Sequence, residues 1–313
     1  MTDHLPVLLI GASGMIGSAI ASMLPEHGYA VRAFVRDGCP QTPLARRPDE
    51  IVRGNMLTGQ GLDEAVKGVQ AVLYFAGTSV PATSGDNPAI EFEASLPPLT
   101  NVLNALVRCN PQARFFFPST GGAIYGSCDN APSESSPTHP LSAYALGKAL
   151  AEQTVQFYND VFNIRSDTLR ISNAYGNARP RIVPQGVIDH FLDNAIRGVT
   201  SQVWGSLDVQ RDYIFVDDVA HAVLSLLQAN RRPSSVYNVG QSESHSLRQV
   251  LSLIEQVTDR QHRYKLVNDQ YSGVARSSID CSLLTRTVGW RPSISLEDGI
   301  ARTWQRKCAL RDR

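Results

Sequence analysis

The stretch Val7-Leu-Leu-Ile-Gly-Ala-Ser-Gly-Met-Ile-Gly17 decides the fold. Its first four residues form a short, continuous apolar run, which is typical of a strand buried on both faces. Three glycines follow at once with the spacing GxxGxxG, and Ser18–Leu24 has the composition of a helix. A glycine turn between a strand and a helix lets backbone approach a pyrophosphate closely, and the N–H groups at the start of the helix bind it. The stretch therefore predicts a dinucleotide-binding turn.

Composition narrows the class of protein. The chain has 313 residues, of which 42% are hydrophobic and 19% charged, and its formal net charge is zero with a sequence pI of about 7.0. A balanced charge disfavours nucleic acid and anionic membrane as partners. The five cysteines are scattered, without a CxxC pair or a metal-type spacing with histidine, so neither disulfides nor a metal are expected. No signal peptide or membrane span is expected either, and a cytoplasmic location fits these features.

Strand and helix signals alternate beyond the glycine turn. This alternation predicts an α/β protein with a doubly wound parallel sheet of Rossmann type. Helical segments near the C-terminus predict a smaller lobe beside it, to which we assign the binding of substrate. We expect the dinucleotide-binding domain to span residues 1–172 and the chain to return to it at about 213–242. The substrate-binding lobe then comprises 173–212 and 243–313. The predicted strands are Tyr29–Arg36, Ile51–Met56, Ala71–Gly77, Arg114–Pro118 and Asp167–Ile171.

The end of the second predicted strand bears on the choice of cofactor. An acidic residue there accepts a hydrogen bond from a free ribose 2′-hydroxyl, whereas an arginine accommodates a 2′-phosphate. Here Val35 and Arg36 end the strand, and Asp37 comes one residue later. The arginine at this position favours NADP, and NAD, which is the cofactor expected for the chain as a whole, stays open.

A tyrosine and a lysine stand four residues apart in Ser142-Ala-Tyr-Ala-Leu-Gly-Lys148. Residues i and i+4 of a helix lie on one face, so Tyr144 and Lys148 can point into one site. An ammonium group beside a phenol favours the phenolate, which would bring the pKa of Tyr144 toward the working range of a general base. Hydroxyl groups at the end of the strand Arg114–Pro118 converge on the same crevice, because ligands of such sheets bind beyond the carboxyl ends of the strands.

Taken together, the motifs resemble those of an extended short-chain dehydrogenase/reductase of the NAD-dependent epimerase/dehydratase family. The matching segments cover nearly the whole chain in the family's order. They are Gly11–Gly17, Phe75–Gly77, Ser119–Gly126, Tyr144 with Lys148, Leu169–Gly176, Trp204–Gly205, Arg211–Asp218, Tyr237–Gly240 and Gly289–Pro292.

The resemblance implies a nucleotide-diphosphate sugar as substrate and Tyr144 as the acid/base that exchanges a proton with a sugar hydroxyl. It makes Lys148 the ligand of the nicotinamide ribose, and it implies a homodimer. The favoured activity is C4 epimerisation of a UDP- or dTDP-linked hexose or 6-deoxyhexose through a transient 4-keto intermediate. An NADP-dependent reductase of a 4-keto nucleotide sugar is the alternative, and a catalytically decayed dinucleotide-binding module is a third hypothesis. A dehydratase fits less well, since Gly-Gly-Ala-Ile rather than an Asp-Glu pair precedes Tyr125.

The resemblance also assigns site residues. The catalytic set is Tyr144, Lys148 and Thr120. The cofactor-binding set is Gly11, Ser13, Gly14, Met15, Ile16, Gly17, Arg36, Asn55, Met56, Phe75, Ala76, Gly77, Ser119, Tyr144, Lys148 and Ser172. The substrate-binding set is Thr78, Gly121, Gly122, Tyr144, Asn173, Val187, Arg211 and Arg276. Arg179 and Arg181 could also meet phosphate, with the solubility of an exposed loop as the other explanation.

Three positions depart from the family pattern. The Ser/Thr that lies four residues before the tyrosine of the Tyr-Gly pair falls on Gly121, so its hydrogen bond passes to Thr120, to Ser119 or to water. The asparagine on the helix before the fifth strand is replaced by Ser95, and the arginine that clamps the diphosphate is replaced by Gln270. Arg211 and Arg276 remain as candidates for the diphosphate.

Overall fold

The computed structural model describes residues 5–38, 46–77, 87–128, 130–176, 186–229, 236–267 and 274–311. The strands are β1 Val7–Ile10, β2 Val31–Arg36, β3 Glu50–Gly54, β4 Ala71–Tyr74, β5 Arg114–Thr120, β6 Ser166–Ile171, β7 Asn173–Tyr175, β8 Ser201–Trp204, β9 Gln210–Arg211, β10 Tyr213–Phe215, β11 Val236–Val239, β12 His245–Ser246, β13 Tyr264–Val267 and β14 Arg276–Ser277. The helices are α1 Met15–Met23, α2 Leu62–Val66, α3 Pro88–Cys109, α4 Ala143–Phe162, α5 Val187–Arg197, α6 Val216–Gln228, α7 Leu247–Thr258, α8 Ser282–Val288 and α9 Leu296–Arg311, with a short 3₁₀ turn at Leu24–His27.

The central sheet has seven parallel strands in the order β3-β2-β1-β4-β5-β6-β11. The direction of winding reverses between β1 and β4, which lie side by side in the middle of the sheet. Parallel sheets of this kind bind ligands at such a switch point, outside the carboxyl ends of the strands. The predicted α/β doubly wound fold is confirmed.

Both faces of the sheet are covered by helices. Val7 and Leu9 of β1 face a buried cluster with α1 and α6, whereas Leu8 and Ile10 face a second cluster with α2, α3 and α4. All four side chains are buried. Burial on both sides explains why the strands read as continuous apolar runs rather than as alternating patterns.

A smaller layer is built from the C-terminal half of the chain. It contains the pairs β7–β10 and β8–β13 and the three-stranded sheet β12-β9-β14. Helices α5, α7 and α9 enclose its core around Phe191, Phe215 and Ile254. Between the segments of this layer, β11 pairs with β6 in the central sheet, in the register Tyr237 to Leu169. The boundaries of the two proposed domains stay a prediction.

Strands β4 and β5 differ in length from the prediction at their carboxyl ends, where sheets of this kind bind ligands. β4 ends at Tyr74 rather than at Gly77, because Phe75 and Ala76 turn across Gly11 in close backbone contact. β5 continues to Thr120, two residues beyond the predicted end at Pro118, and pairs with β6 up to Ile171.

Among the residues described above, no helix has the length and apolar character that a bilayer crossing requires.

Candidate active site

The glycine turn links β1 to α1 and leaves the start of that helix open. The amide of Gly14 donates to the carbonyl of Gly11 at 2.9 Å, which closes the turn. Gly14 is the N-cap of α1, and no side chain in the described part of the chain caps it. The first-turn N–H groups of α1 are thus available to an anionic ligand, as a pyrophosphate site requires.

At two of the three glycine positions, close backbone packing leaves no room for a side chain. Gly11 has a φ of +95°, and a Cβ there would lie 2.5 Å from the carbonyl carbon of Phe75. A Cβ on Gly17 would lie 2.1 Å from the carbonyl oxygen of Gly11. The turn therefore lies directly against the residues that follow β4, and both segments reach the switch point. This arrangement fits a dinucleotide.

Helix α4 carries the predicted acid/base pair. The hydroxyl of Ser142 accepts a hydrogen bond from the amide of Ala145 at 3.2 Å and caps the start of the helix. Tyr144 and Lys148 then lie one turn apart on the same face. Both side chains are partly exposed.

The hydrogen bonds of this pair lead to β5. The Nζ of Lys148 donates to the carbonyl of Pro118 at 2.9 Å and lies 6.0 Å from the centre of the Tyr144 ring. The hydroxyl of Thr120 is hydrogen-bonded to Tyr144. The three predicted catalytic residues are thus brought together at the end of one strand.

The electrostatics of the pair differ from the prediction. Burial raises the pKa of Tyr144 to about 12, and the negative charge of Glu91 raises it further, whereas the bond to Thr120 lowers it. Burial lowers the pKa of Lys148 to about 8, against the opposing effects of Glu91 and Glu152. The prediction that the pKa of Tyr144 moves toward neutrality is therefore wrong for the protein chain alone. An oxidised nicotinamide is positively charged, and a positive charge nearby favours the phenolate.

Three small residues around the end of β5 have distinct roles. The hydroxyl of Ser119 is buried and has no hydrogen-bond partner in the described part of the chain, which leaves it for the cofactor assigned to it. A Cβ on Gly121 would lie 2.6 Å from Cδ1 of Ile279, so a serine or threonine cannot be accommodated there without a shift. Gly122 lies against the side-chain amide of Asn173, to which a Cβ would come within 3.2 Å.

The remaining cofactor residues lie around the same edge of the sheet. Arg36 is exposed and ends β2 opposite Gly54, and Asn55 and Met56 follow that glycine. Ser172 follows β6, but its hydroxyl donates to Oδ1 of Asp212 at 2.9 Å. A cofactor contact from Ser172 would therefore involve its backbone.

A cavity of about 250 Å³ opens in the smaller layer. Three of the predicted substrate residues, Asn173, Val187 and Arg211, line it, and Trp204 and Tyr213 supply aromatic walls. Arg276 is exposed and lies outside the lining; its Nε donates to the hydroxyl of Ser244 at 3.2 Å. Thr78, Arg179, Arg181 and Gln270 lie outside the described residues.

Sequence reasoning missed a buried polar network beneath the site. The phenol of Tyr125 donates to Oδ1 of Asn238 at 2.7 Å, and Nη1 of Arg170 donates to the phenol oxygen at 2.8 Å. The guanidinium also bonds Glu152 of α4, at 2.7 Å for its shortest contact. This network ties β6 to α4 one turn beyond Lys148. It appears in the sequence only as a Tyr-Gly pair and an isolated arginine, which carry no pairing signal.

Glu91 was missed as well. It lies in the first turn of α3 and is 1% exposed, on the same buried face as Pro98, Leu99 and Val102. The one sequence signal that indicates it is a charged residue at a helix position whose spacing places it among the apolar residues of the buried face.

A glycine turn at the switch point of a doubly wound sheet, with a Tyr–Lys pair at the same edge of that sheet, defines a dinucleotide-dependent enzyme of the extended short-chain dehydrogenase/reductase class. The chain belongs to the NAD dependent epimerase/dehydratase family, whose profile matches residues 7–240.

Known proteins of two activities resemble the chain over nearly its whole length. It is 26% identical over 322 residues to the UDP-glucose 4-epimerase of Azospirillum brasilense, covering 96% of this chain and 92% of that protein. It is 27% identical over 303 residues to the dTDP-4-dehydro-6-deoxyglucose reductase of Escherichia coli, covering 94% and 95%. The crystal structure of the UDP-glucose 4-epimerase of Thermus thermophilus in complex with NAD superimposes with a TM-score of 0.87 at 26% identity, over 97% of this chain and 99% of that one.

Proposed function

We propose that the protein epimerises a UDP- or dTDP-linked hexose or 6-deoxyhexose at C4, with NAD bound at the switch point and a transient 4-keto sugar as intermediate. The observation that carries this proposal is the assembly of Tyr144, Lys148 and Thr120 at the carboxyl end of β5, on the edge of the sheet that also holds the glycine turn. The similarity to UDP-glucose 4-epimerases over nearly the full chain supports it.

The cofactor site is assigned to the glycine turn, to residues 75–77 and to the end of β5. The open N–H groups of α1 suit the pyrophosphate, and the buried hydroxyl of Ser119 is available as a further hydrogen-bonding group. When bound, NAD accepts and returns the hydride, which is the chemistry that the protein side chains do not supply.

The side chains of this chain move the proton. The phenolate oxygen of Tyr144 takes the proton of the sugar 4-hydroxyl and returns it when the hydroxyl is restored. Thr120 stabilises the phenolate by a hydrogen bond. The Lys148 ammonium, which the Pro118 carbonyl holds beside Tyr144, adds a positive charge.

The nucleotide is assigned to the cavity of the smaller layer. Trp204 and Tyr213 give it aromatic surface for a base, and Arg211 gives it a positive charge for the diphosphate. Asn173 stands between this cavity and Gly122, where the sugar would meet Tyr144. Selectivity among sugars depends on contacts worth a few kcal/mol each, so this placement identifies a class of substrate.

An NADP-dependent reduction of a 4-keto nucleotide sugar is the second candidate. Arg36 at the end of β2 favours it, since an arginine there suits a 2′-phosphate. The resemblance to the reductase of Escherichia coli supports the same chemistry in one direction. A decayed module is disfavoured by the intact contacts of Tyr144 and Lys148.

The test is to denature the purified protein and identify any dinucleotide released. An epimerase must keep its hydride between half-reactions, so stoichiometric NAD(H) that survives dialysis is the expected result. The native protein should then interconvert UDP-glucose and UDP-galactose or a dTDP-linked counterpart, and Tyr144→Phe should lose this activity. Empty protein that prefers NADPH and only reduces 4-keto sugars would replace the epimerase by the reductase. Full activity in Tyr144→Phe would overturn the proton transfer.

We also propose that the protein is a cytoplasmic homodimer. Phe157, Val161 and Phe162 of α4 are exposed, which supports helix-to-helix association of two copies. Sedimentation should give a dimer, and Val161→Glu should shift it to a monomer. A wild-type monomer at micromolar concentration would contradict the assembly.

A further inference from the structure

A buried carboxyl group lies against the turn of α4 that carries the acid/base pair. Glu91 of α3 is 1% exposed. A Cβ on Gly147 would lie 2.5 Å from its Cγ and 2.9 Å from its Oε1. Gly147 stands between Tyr144 and Lys148, so the carboxyl group approaches α4 at the residue that separates them. The absence of a side chain at 147 is what makes this approach possible.

A position in the first turn of α3 does not by itself account for the placement of this carboxyl group beside the acid/base pair. A carboxylate in the first turn of a helix is stabilised by the helix dipole, but an exposed residue obtains the same benefit. Burying a charge costs several kcal/mol unless other charges and hydrogen bonds compensate. Ser95, where the family has asparagine, does not reach the pair, because its hydroxyl donates to the backbone carbonyl of Glu91 at 2.7 Å.

The charges around the pair are few in the described part of the chain. Glu91 acts on both groups: it raises the pKa of Tyr144 and the pKa of Lys148. Glu152 also acts on Lys148, but more weakly, and its carboxylate is bonded to the guanidinium of Arg170. Thr120 contributes a neutral hydroxyl from β5.

We propose that Glu91 is a positioning residue for the Tyr144–Lys148 pair: its carboxylate is the counter-ion that keeps the half-buried Lys148 ammonium charged and sets the pH at which Tyr144 gives up its proton. This role deepens the proposed function and rests on it for its catalytic consequence. The carboxylate itself exchanges no proton with the sugar.

The direction of the effect follows from the sign of the charge. A negative charge makes proton loss harder at both neighbours, so Glu91→Gln lowers the pKa of Tyr144 and that of Lys148. Since the active form holds a phenolate and an ammonium, both limbs of the bell-shaped profile of kcat/KM against pH move to lower pH, by about one unit. Loss of packing alone would lower kcat/KM at every pH without shifting either limb of the profile along the pH axis.

The experiment compares Glu91→Gln with Glu93→Gln, which removes the same charge from an exposed position on α3. Each variant is titrated twice without substrate, by ultraviolet difference absorption of phenolate, once in the native background and once with Tyr144→Phe. We expect Glu91→Gln to move one phenolate transition to lower pH, and this shift to vanish when Tyr144 is absent. Glu93→Gln should move neither the titration nor the rate profile.

Two further variants separate charge from packing. Glu91→Asp keeps the charge and should restore the wild-type pH limbs in part, even where it destabilises the fold. Gly147→Ala forces the carboxyl group away and should shift the limbs as Glu91→Gln does. Unmoved limbs together with an unmoved phenolate titration in Glu91→Gln would overturn the proposal. A shifted titration in a protein without epimerase activity would instead refute the proposed function and leave the electrostatic role of Glu91 standing.

Discussion

At the scale of single residues, the hydroxyl group that contacts Tyr144 comes from Thr120, one position before the residue at which the family pattern has Ser or Thr. The family pattern has Ser or Thr at the position of Gly121, where this chain has Ile279 and the carbonyl of Arg170 within 3 Å of any Cβ. Thr120, one residue earlier on β5, makes the hydrogen bond instead. The sequence left Thr120, Ser119 and water as alternatives, because the contact between Gly121 and Ile279 joins residues far apart in the chain.

This displacement predicts that Thr120 supports catalysis and that Gly121 cannot replace it. Thr120→Val should lower kcat by about 10²-fold, since a hydrogen bond to the phenolate is lost. Adding Gly121→Ser should not restore the rate, because the new side chain collides with Ile279. Thr154→Val is the control, as its hydroxyl bonds the Leu150 carbonyl on α4. A double variant with wild-type turnover would contradict this account.

Arg36 is the residue that distinguishes the two cofactors. If it binds a 2′-phosphate, Arg36→Ala should weaken NADP binding about 10-fold or more and leave NAD binding nearly unchanged, since a charged hydrogen bond is worth about 1.5–3 kcal/mol. Titration of both cofactors by fluorescence or calorimetry measures this. Arg108→Ala removes the same charge in the last turn of α3, at the opposite edge of the sheet, and should affect neither cofactor. Equal losses for NAD and NADP in Arg36→Ala would refute the role.

At the scale of elements, sequence patterns predicted the helices and strands that depend only on residues close together in the chain. Tyr144 and Lys148 lie on one helix as predicted, and the apolar runs became the strands of the central sheet. Helix α3 is harder to predict, because Pro97 and Pro98 interrupt its backbone hydrogen bonds and normally end a helix. It continues because its residues on both sides of the prolines are buried against the sheet and against α4, which local propensity cannot reveal.

The network of Tyr125, Arg170 and Glu152 is also tertiary, and it predicts a large effect from one hydroxyl group. Tyr125→Phe removes the phenol that donates to Oδ1 of Asn238 and accepts from Nη1 of Arg170, so both atoms lose this partner. It should lower the free energy of unfolding by about 2 kcal/mol, as expected for buried polar groups that lose a hydrogen bond. Urea denaturation measures the loss. Tyr264→Phe removes an exposed hydroxyl and should cost little, and an equal loss in the two variants would contradict the role of the network.

At the scale of the whole molecule, the site is assembled from segments that lie far apart in the chain. The glycine turn, residues 75–77, the end of β5 and the start of α4 meet at one edge of the sheet. Asp212 adds a link to the smaller layer: it accepts hydrogen bonds from the hydroxyl of Ser172 and from the amides of Gln241 and Ser242. The motifs of the family predicted which segments meet, but not the buried carboxylates that join them.

A ligand that contacts several of these segments should stabilise all of them together. We expect removal of bound NAD to lower the melting temperature and its return to restore it, because a ligand at 100 times its Kd adds about 2.7 kcal/mol to the stability of the native state. Gly17→Ala should weaken this response, since its methyl group would collide with the Gly11 carbonyl and displace the turn from α1. Ser22→Ala, on the same helix but one turn further from the glycine turn, should keep it. A melting temperature independent of NAD in the wild type would place the cofactor outside the segments that hold the fold together.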